Sequence, residues 1–440
     1  MNSPIKPNTK PNNKPKIAVV GAGIAGLSAA YHLKDQAEVT LFEALGRIGG
    51  HAHTVDVTVA GKTFGVDTGF LVFNYRTYPG LTPFFAELGV PTAASDMGFS
   101  VQARDSGLEW AGNGLNSVFT QRKNLFKPLF WRMLRDMLRF NKAATAFALN
   151  PPNTTQTLGE YLKTNGYSDA LRDWYLVPMA AAIWSCPTAT MMGYPMATFA
   201  RFCHNHGLLQ ITNRPQWYTV QGGSREYVAR VLAALRASGV TVQSNCVVHT
   251  IQRDSDSVTL QTAIGEQTFD GVIFANHSDE ILATLGAAAT PAEARVLGAI
   301  AYQSNTAVLH TDAAVLPSHP RAWAAWNYET QHTGVDGQQV CLHYLLNKLQ
   351  PLPVGMDSPV VVSLNPLASL MPDPAKVLRR FDYAHPVFNS AAIAAQAELP
   401  ALQGQQRTWF AGAWTNYGFH EDGFQSGKAA AAGVSSAFNQ

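Results

Sequence analysis

The sequence predicts an α/β protein in which a discontinuous Rossmann-like dinucleotide-binding domain is interleaved with a mixed α+β domain. Three observations predict it. Residues 16–46 run as apolar strand, glycine turn, Ala-rich helix and second strand ending in an acid; a strand, a glycine and a helix start recur at 409–427; and two long inserts without internal repeats, 76–213 and 276–400, lie between. At 440 residues the chain exceeds the size at which a single core stops growing, so two domains are expected.

The N-terminal unit carries its chemistry in its spacing. Gly21 permits the tight turn after the first strand, Gly23 lets the backbone approach a pyrophosphate, and Gly26 lets the helix pack closely on the strand. Ile24 and Ala25 open the helix, whose free N–H groups and dipole favour a phosphate. Glu43 closes the second strand about 20 residues further on, where an acid accepts hydrogen bonds from ribose hydroxyls and repels a 2′-phosphate. Ala44 follows it. The next segment, residues 46–51, sets Arg47, Gly49 and Gly50 before His51: a guanidinium for an anionic pyrophosphate, and glycines that let the chain pass close to it.

Composition narrows the class further. The chain is 46% apolar and only 14% charged, against roughly 25% charged in an average soluble protein, so part of the apolar excess is expected to line a pocket or touch lipid. A formal charge of +2 with no basic run interleaved with aromatics argues against nucleic acid. Cys186, Cys203, Cys246 and Cys341 form no C-x-x-C pair, which suits a reducing cytoplasm and neither a disulfide framework nor a zinc knuckle. Residues 1–15 read as a disordered tail. No window approaches the roughly 18 apolar residues of a membrane span, so the expected location is cytoplasmic or peripheral on the inner face of the membrane.

Glycine turn, acid and G-R-x-G-G stretch, in this order, resemble the amine-oxidase-like FAD-dependent oxidoreductase superfamily, whose fold is of the glutathione-reductase/amine-oxidase type. The resemblance implies noncovalent FAD, because members that tether the flavin use a late Cys and this chain has none after Cys341. It continues at residues 66–71, where Thr68, Gly69, Phe70 and Leu71 correspond to backbone beside the isoalloxazine ring, and at 218–224. It implies an adenine contact at Val248, a returning sheet strand at 271–275, and a flavin-facing helix start built from Gly412, Asp422, Gly423 and Phe424. Two positions depart from the family: His51 stands where an Arg is usual, and Ala413 where an Asp is usual. On this basis residues 16–75, 214–275 and 401–440 form the expected FAD domain, and 76–213 and 276–400 the substrate domain.

Residues 69–74, 205–209, 323–328 and 417–423 are similar to a bacterial subgroup of predicted FAD/NAD-binding proteins often encoded beside cyclopropane-fatty-acid-synthase-like methyltransferases. The resemblance implies an unsaturated or branched acyl substrate, altered by hydride transfer at flavin N5, and a lipid methyltransferase as partner. Amine oxidases place a Lys near N5, whereas the corresponding stretch, residues 305–310, has none. Two alternatives remain open: an amine or amino-acid oxidase, and a redox-silent flavin protein accessory to the methyltransferase.

His420, Glu421, Tyr417 and Asn74 are the catalytic candidates, from their motif positions, and Phe73, Asn205, His206 and Phe419 the substrate candidates. The His pairs 51/53 and 204/206 lack further ligands at a metal spacing, so no metal is expected. Residues 125–141 place Phe126, Leu129, Phe130, Met133, Leu134, Met137 and Leu138 on one helical face with seven cations around it. This suits a core-packed helix with a solvated basic face, a helix resting on anionic lipid, or a surface for an acidic protein.

Overall fold

The computed structural model describes residues 14–152, 154–184, 191–210, 214–332 and 338–438. The expected tail, up to residue 13, lies outside the described residues, as does Cys186. The chain forms two compact units: one holds the chain up to Gly50, Val231–Leu297 and everything from Glu398; the other holds His51–Arg230 and Gly298–Ala397. Residues 51–75 and 214–230, expected with the nucleotide fold, thus belong to the second unit, and residues 276–297 to the first. A buried clamp ties the first two of these segments into the second unit. Asp67, at the end of the hairpin Thr54–Val59/Lys62–Asp67, accepts from the Ser224 amide at 2.9 Å and hydroxyl at 2.7 Å, from Thr54 Oγ1 at 2.6 Å and from Gln350 Nε2 at 2.8 Å.

The first unit is built on a five-stranded parallel sheet of β1 (Lys16–Val20), β2 (Glu38–Phe42), β3 (Thr241–Gln243), β4 (Gly271–Phe274) and β5 (Thr408–Phe410), in the order β5-β4-β1-β2-β3. Ile17, Ala18 and Val19 are fully buried, as an unbroken apolar strand covered on both faces must be. The chain winds outward from β1 in one direction through β2 and β3, and in the other through β4 and β5. The order therefore reverses between β1 and β4, and ligands of such sheets bind beyond the carboxyl ends of the strands at that point. A three-stranded antiparallel sheet, Val248–Arg253, Val258–Thr262 and Gly265–Phe269, completes the unit.

Two helices meet at this switch point: α1 (Ile24–Leu33) and α2 (His420–Phe438). Their approach is too close for side chains. A Cβ on Gly427 would stand 2.0 Å from the Ala25 carbonyl oxygen and one on Gly423 2.7 Å from Ile24 Cγ2, while one on Gly26 would stand 1.8 Å from the Gly21 carbonyl oxygen, where α1 meets the end of β1. Ser28 Oγ donates to the Phe424 carbonyl at 2.8 Å, adding a bond across the crossing. Gly427→Val is expected to lower the thermal midpoint sharply, because neither helix can yield backbone to the new side chain. Gly112→Ala, whose Cβ would find only Phe99 O at 3.9 Å, should leave the midpoint unchanged in the same differential scanning measurement.

The second unit is organised on a seven-stranded sheet of Val377–Pro386, Tyr302–His310, Val361–Leu364, Gln338–Leu345, Trp326–His332, Phe99–Ala103 and Leu108–Ala111, in that order; only Trp326–His332 and Phe99–Ala103 pair in parallel. Helices Pro128–Leu149, Leu158–Thr164 and Met196–Asn205 accompany it. The helix expected over 125–141 is divided: Arg122–Phe126 is a 3₁₀ turn, Lys127 is extended, and the α-helix starts at Pro128. Proline disfavours helical geometry in the residue before it and is well suited to the first helical position.

A one-way chain of hydrogen bonds runs through this sheet. The Asp312 amide donates to His310 Nδ1 at 3.0 Å, which leaves the His310 proton on Nε2 to reach Ser363 Oγ at 2.7 Å. Ser363 in turn bonds His343 Nδ1 at 2.6 Å, and His343 Nε2 bonds Glu329 at 2.9 Å. Burial pushes the His310 imidazole down to about 3. Above its unfolded pKa of about 6.5 both states are neutral and stability is complete; as pH falls from there toward 3, only the unfolded chain takes the proton and stability is lost, by about 2 kcal/mol at pH 5. Urea denaturation of His310→Gln should show a correspondingly shallower loss between pH 6.5 and 5, whatever its absolute stability.

Candidate functional site

In the first unit the predicted dinucleotide residues converge at the switch point. Gly21 turns with φ +99°, and a Cβ there would press at 3.0 Å on the Ala275 carbonyl and the Asn276 amide that follow β4. Gly23 caps α1 without a side-chain bond, and the first turn of the helix holds no acid, so its N–H groups carry the local positive potential. Glu43 accepts from the Ala22 amide at 2.9 Å and the Leu45 amide at 3.0 Å, which fixes the carboxylate while each oxygen keeps a second lone pair. The 46–50 loop folds onto the same turn: Gly49 N donates to Ala22 O at 2.9 Å, a Cβ on Gly50 would stand 3.0 Å from Gly23 Cα, and Arg47 Nη1 holds the Gly50 carbonyl at 2.8 Å. Ala44 is exposed, and Val248 is buried at the start of its strand. Asn276 Oδ1 is buried without a hydrogen-bond partner beside the Gly21 turn. Sequence reasoning missed it, since an Asn after a strand reads as a turn residue. A cradle formed by the backbone N–H groups of the α1 start, a fixed acid and an unanswered polar atom fit a dinucleotide cofactor.

The start of α2 brings together most of the remaining candidates. Gly412 N donates to Ser426 Oγ at 2.9 Å, and Trp414 Nε1 bonds the Asn276 carbonyl at 3.1 Å, so the segment after β5 is pinned to the end of β4. Asp422, expected among the cofactor residues, accepts from the Phe419 amide at 2.9 Å and Asn416 Nδ2 at 2.9 Å. Its carboxylate therefore caps the helix. Burial raises that carboxyl to about 6, with Glu421 adding to the effect. Glu421 is buried and accepts from Gln425 at 2.7 Å. Desolvation pushes His420 down to about 3, so it is a neutral imidazole at physiological pH and able to accept a proton. Tyr417 and Phe419 are half-buried on the loop before it, and Gly423 and Phe424 are buried in the first turns.

In the second unit the Gly69–Leu71 segment closes on His51: a Cβ on Gly69 would lie 2.3 Å from the His51 carbonyl oxygen, and Phe70 N donates to it at 2.7 Å. Phe70 and Leu71 are buried, and Phe70 stacks on Phe73 with centroids 6.4 Å apart. Thr68 Oγ1 and His53 Nδ1 both bond the Tyr383 hydroxyl, at 2.7 and 2.8 Å. The His51 ring lies 5.2 Å from Tyr383 and 5.1 Å from His385. Asn305 is buried; its Nδ2 donates to His385 Nδ1 at 2.8 Å, and its Oδ1 accepts from Asn365 at 2.7 Å. Tyr383, His385 and Asn365 were not foreseen. The signal available was the alternation of Phe381, Tyr383 and His385, which places three rings on one face of a strand.

Asn74, Asn205 and His206 also come together. Arg76 donates to the His204 carbonyl at 2.9 Å and to the Asn205 carbonyl at 2.7 Å, and its amide bonds Asn74 Oδ1 at 2.9 Å. Asn74 Nδ2 is buried without a partner, a donor facing inward, whereas Asn205 itself is exposed. His206 stacks on Phe202 at 4.0 Å, donates Nδ1–H to its carbonyl at 3.0 Å, and is driven by burial to about 4, which marks a neutral, oriented ring. Phe73 pairs its backbone with Tyr218, N to O at 2.9 Å. The His pairs, at which no metal was expected, are not the residues that cluster: among the described residues Glu329, Cys341 and His343 bring three ligand atoms within 4.8 Å of one another. Both His343 nitrogens serve the hydrogen-bond chain of the sheet, and burial holds the Cys341 thiol protonated by raising its pKa. This cluster is therefore read as structural.

Residues 24–348 match the flavin containing amine oxidoreductase family. A putative flavin-containing monoamine oxidase, AofH, of Mycobacterium tuberculosis is 28% identical over 266 residues, 59% of this chain and 56% of that protein, so the chain spans about half the length of this relative. Among solved structures, cyclohexylamine oxidase from Brevibacterium oxydans IH-35A superposes with a TM-score of 0.70 at 15% identity, covering 97% of this chain and 100% of that one. A CLA-producing fatty acid isomerase from P. acnes superposes with a TM-score of 0.65 at 14% identity, covering 94% and 97%. The cradle at the switch point and the match over residues 24–348 together place the chain in the flavin containing amine oxidoreductase family, a family of FAD-dependent oxidoreductases, with FAD as its cofactor.

Proposed function

We propose that the protein desaturates, reduces or isomerises an apolar acyl chain, with FAD held noncovalently by Gly21, Gly23, Gly26, Glu43, the 46–50 loop and the start of α2. When bound, FAD supplies the two-electron redox chemistry. The observation that carries the substrate assignment is Asn305. Where the family resemblance leads one to look for a lysine, the chain buries an amide tied to Asn365 and His385, in a cluster whose hydrogen bonds run among amide, hydroxyl and imidazole groups. Such a wall offers no fixed charge for water activation or for an ammonium group. The rings of Phe70, Phe73, Tyr75, Tyr78 and Tyr218 gather in the same unit and suit a hydrocarbon. The fold likeness to a fatty acid isomerase agrees with this reading.

In this reading His420, a neutral imidazole at the first turn of α2, is the proton acceptor. Anaerobic stopped-flow absorbance should show bleaching of oxidised flavin by an acyl chain that is desaturated, reoxidation of dithionite-reduced flavin by an unsaturated chain that is reduced, or double-bond migration in the recovered lipid, and no bleaching by a polyamine panel. Bleaching by amines alone would return the protein to amine oxidation, and no response of oxidised or reduced flavin to either class would favour the redox-silent accessory role. His420→Ala should slow the reaction by about 10²-fold without loss of bound flavin. Because the His420 proton is taken up near 3 and the Asp422 carboxyl is raised to about 6, the single-turnover rate of Asp422→Asn should be flat from pH 5 to 8, and an inflection near 6.5 in that variant would remove His420 from the role.

A further inference from the structure

We propose that the 3₁₀ turn Arg122–Phe126 and the outward face of the helix Pro128–Leu149 dock the protein on an anionic bilayer surface. The inward face is fixed by packing. Phe130, Met133, Phe140 and Ala144 are buried, Phe140 meets Tyr161, Tyr167 and Phe199 edge-on, and Asp136, itself buried, accepts from the Ser168 amide at 3.1 Å. The opposite face is therefore held outward, and it is both basic and apolar. Trp131, Arg135, Leu138 and Lys142 follow one another at helical spacing along one exposed stripe, with Arg132 and Arg139 beside it. Phe126 is 86% exposed at the tip of the preceding turn, and Trp131 is 49% exposed. The Trp131 indole N–H bonds the Leu125 carbonyl at 2.9 Å, so its polar edge is already satisfied and the ring can enter an interface.

Charge complementarity selects the occupant. Within residues 122–142 the single acid is Asp136, buried and drawn toward Arg139 at 3.6 Å and Arg132 at 4.0 Å. Lys123, Arg135 and Lys142 join no ion pair among the described residues. No helix among them is long and apolar enough to cross a membrane. Cations interleaved with Phe126, Leu129, Trp131 and Leu138 supply the two signals, electrostatic and apolar, that reversible attachment to an anionic surface needs. Because the apolar face proper is spent on the protein interior, binding should depend on charge and fall steeply with salt. The inference stands without the acyl-substrate reading, since it concerns adhesion and not turnover.

The test is sedimentation of the flavin-loaded protein with vesicles. At 0.1 M NaCl most of it should pellet with 3:1 phosphatidylcholine/phosphatidylglycerol vesicles and stay in solution with phosphatidylcholine alone, and 0.5 M NaCl should release it. Arg135→Glu/Lys142→Glu and, separately, Phe126→Ser/Trp131→Ser should each weaken partitioning at least tenfold, with bound flavin and circular dichroism unchanged. Failure to pellet with anionic vesicles, or pelleting indifferent to both pairs of substitutions, would overturn the proposal. Retention on polyglutamate beads without vesicle binding would overturn it in favour of an acidic protein partner. Turnover of monomeric, albumin-carried acyl chains, assayed in parallel, separates this outcome from the fate of the substrate assignment.

Discussion

Backbone-to-backbone contact between the starts of α1 and α2 is the constraint on which the cofactor side of the molecule depends. The first turn of α1 can lie against the end of β1 only because Gly26 has no side chain, and α2 can lie against α1 only because Gly423 and Gly427 have none. A glycine inside a helix costs about 1 kcal/mol relative to alanine. The chain accepts that cost twice at the helix crossing, with Gly423 and Gly427, and once where α1 meets the end of β1, with Gly26, which stability alone would not favour. What it gains is two helix N-termini at the switch point of one parallel sheet, with the 46–50 loop folded over the first and the Trp414 segment pinned beside the second. The α1 dipole, with no acid in its first turn, and the fixed Glu43 carboxylate form an environment prepared for an extended ligand with phosphate and hydroxyl groups before that ligand arrives.

The second unit obeys a different rule: the buried ionisable groups of its large sheet and of the 54–67 hairpin are held neutral or paired. The Asp312 amide fixes the His310 tautomer, and each later bond of the chain follows from it, ending on a Glu329 carboxylate. Burial alone would raise that carboxyl; the bonds from His343 and Arg104 outweigh it and hold it below its ordinary range. Burial likewise raises Asp67 despite the hydroxyl, amide and side-chain donors that surround it, and these donors bind the 54–67 hairpin to Ser224 and Gln350. Such networks fix side-chain geometry while each buried charge keeps a partner. The Asn305, His385 and Tyr383 cluster is likewise held by hydrogen bonds among amide, imidazole and hydroxyl groups.

The nucleotide half was legible because its constraints are local in sequence. Gly21, Gly23, Gly26 and Glu43 act within one βαβ unit, and each sits where its spacing implied. The chain segments around that unit were less legible. Asp67 and Ser224 are 157 residues apart in sequence, so nothing local says that the 51–75 segment folds with the second unit. Asp422 reads as a cofactor residue from its motif; that its carboxylate also caps the start of α2 shows only in the fold. Asn305 and Asn276 carry no pattern at all, and their meaning appears only when burial shows one amide fully paired and the other half unanswered. The break before Pro128 was visible in principle, because the proline rule is local, but the strong apolar period across 125–141 masked it.

Reconstitution of the apoprotein with FAD, followed by quenching of flavin fluorescence and then acid precipitation, tests the central claim most directly. The account predicts saturation at one FAD per chain, loss of binding when Gly423 is replaced by valine, and complete release of yellow colour into the supernatant on precipitation. Saturable FAD binding that survives Gly423→Val, or colour retained in the pellet, would contradict a cofactor held noncovalently at the crossing of α1 and α2.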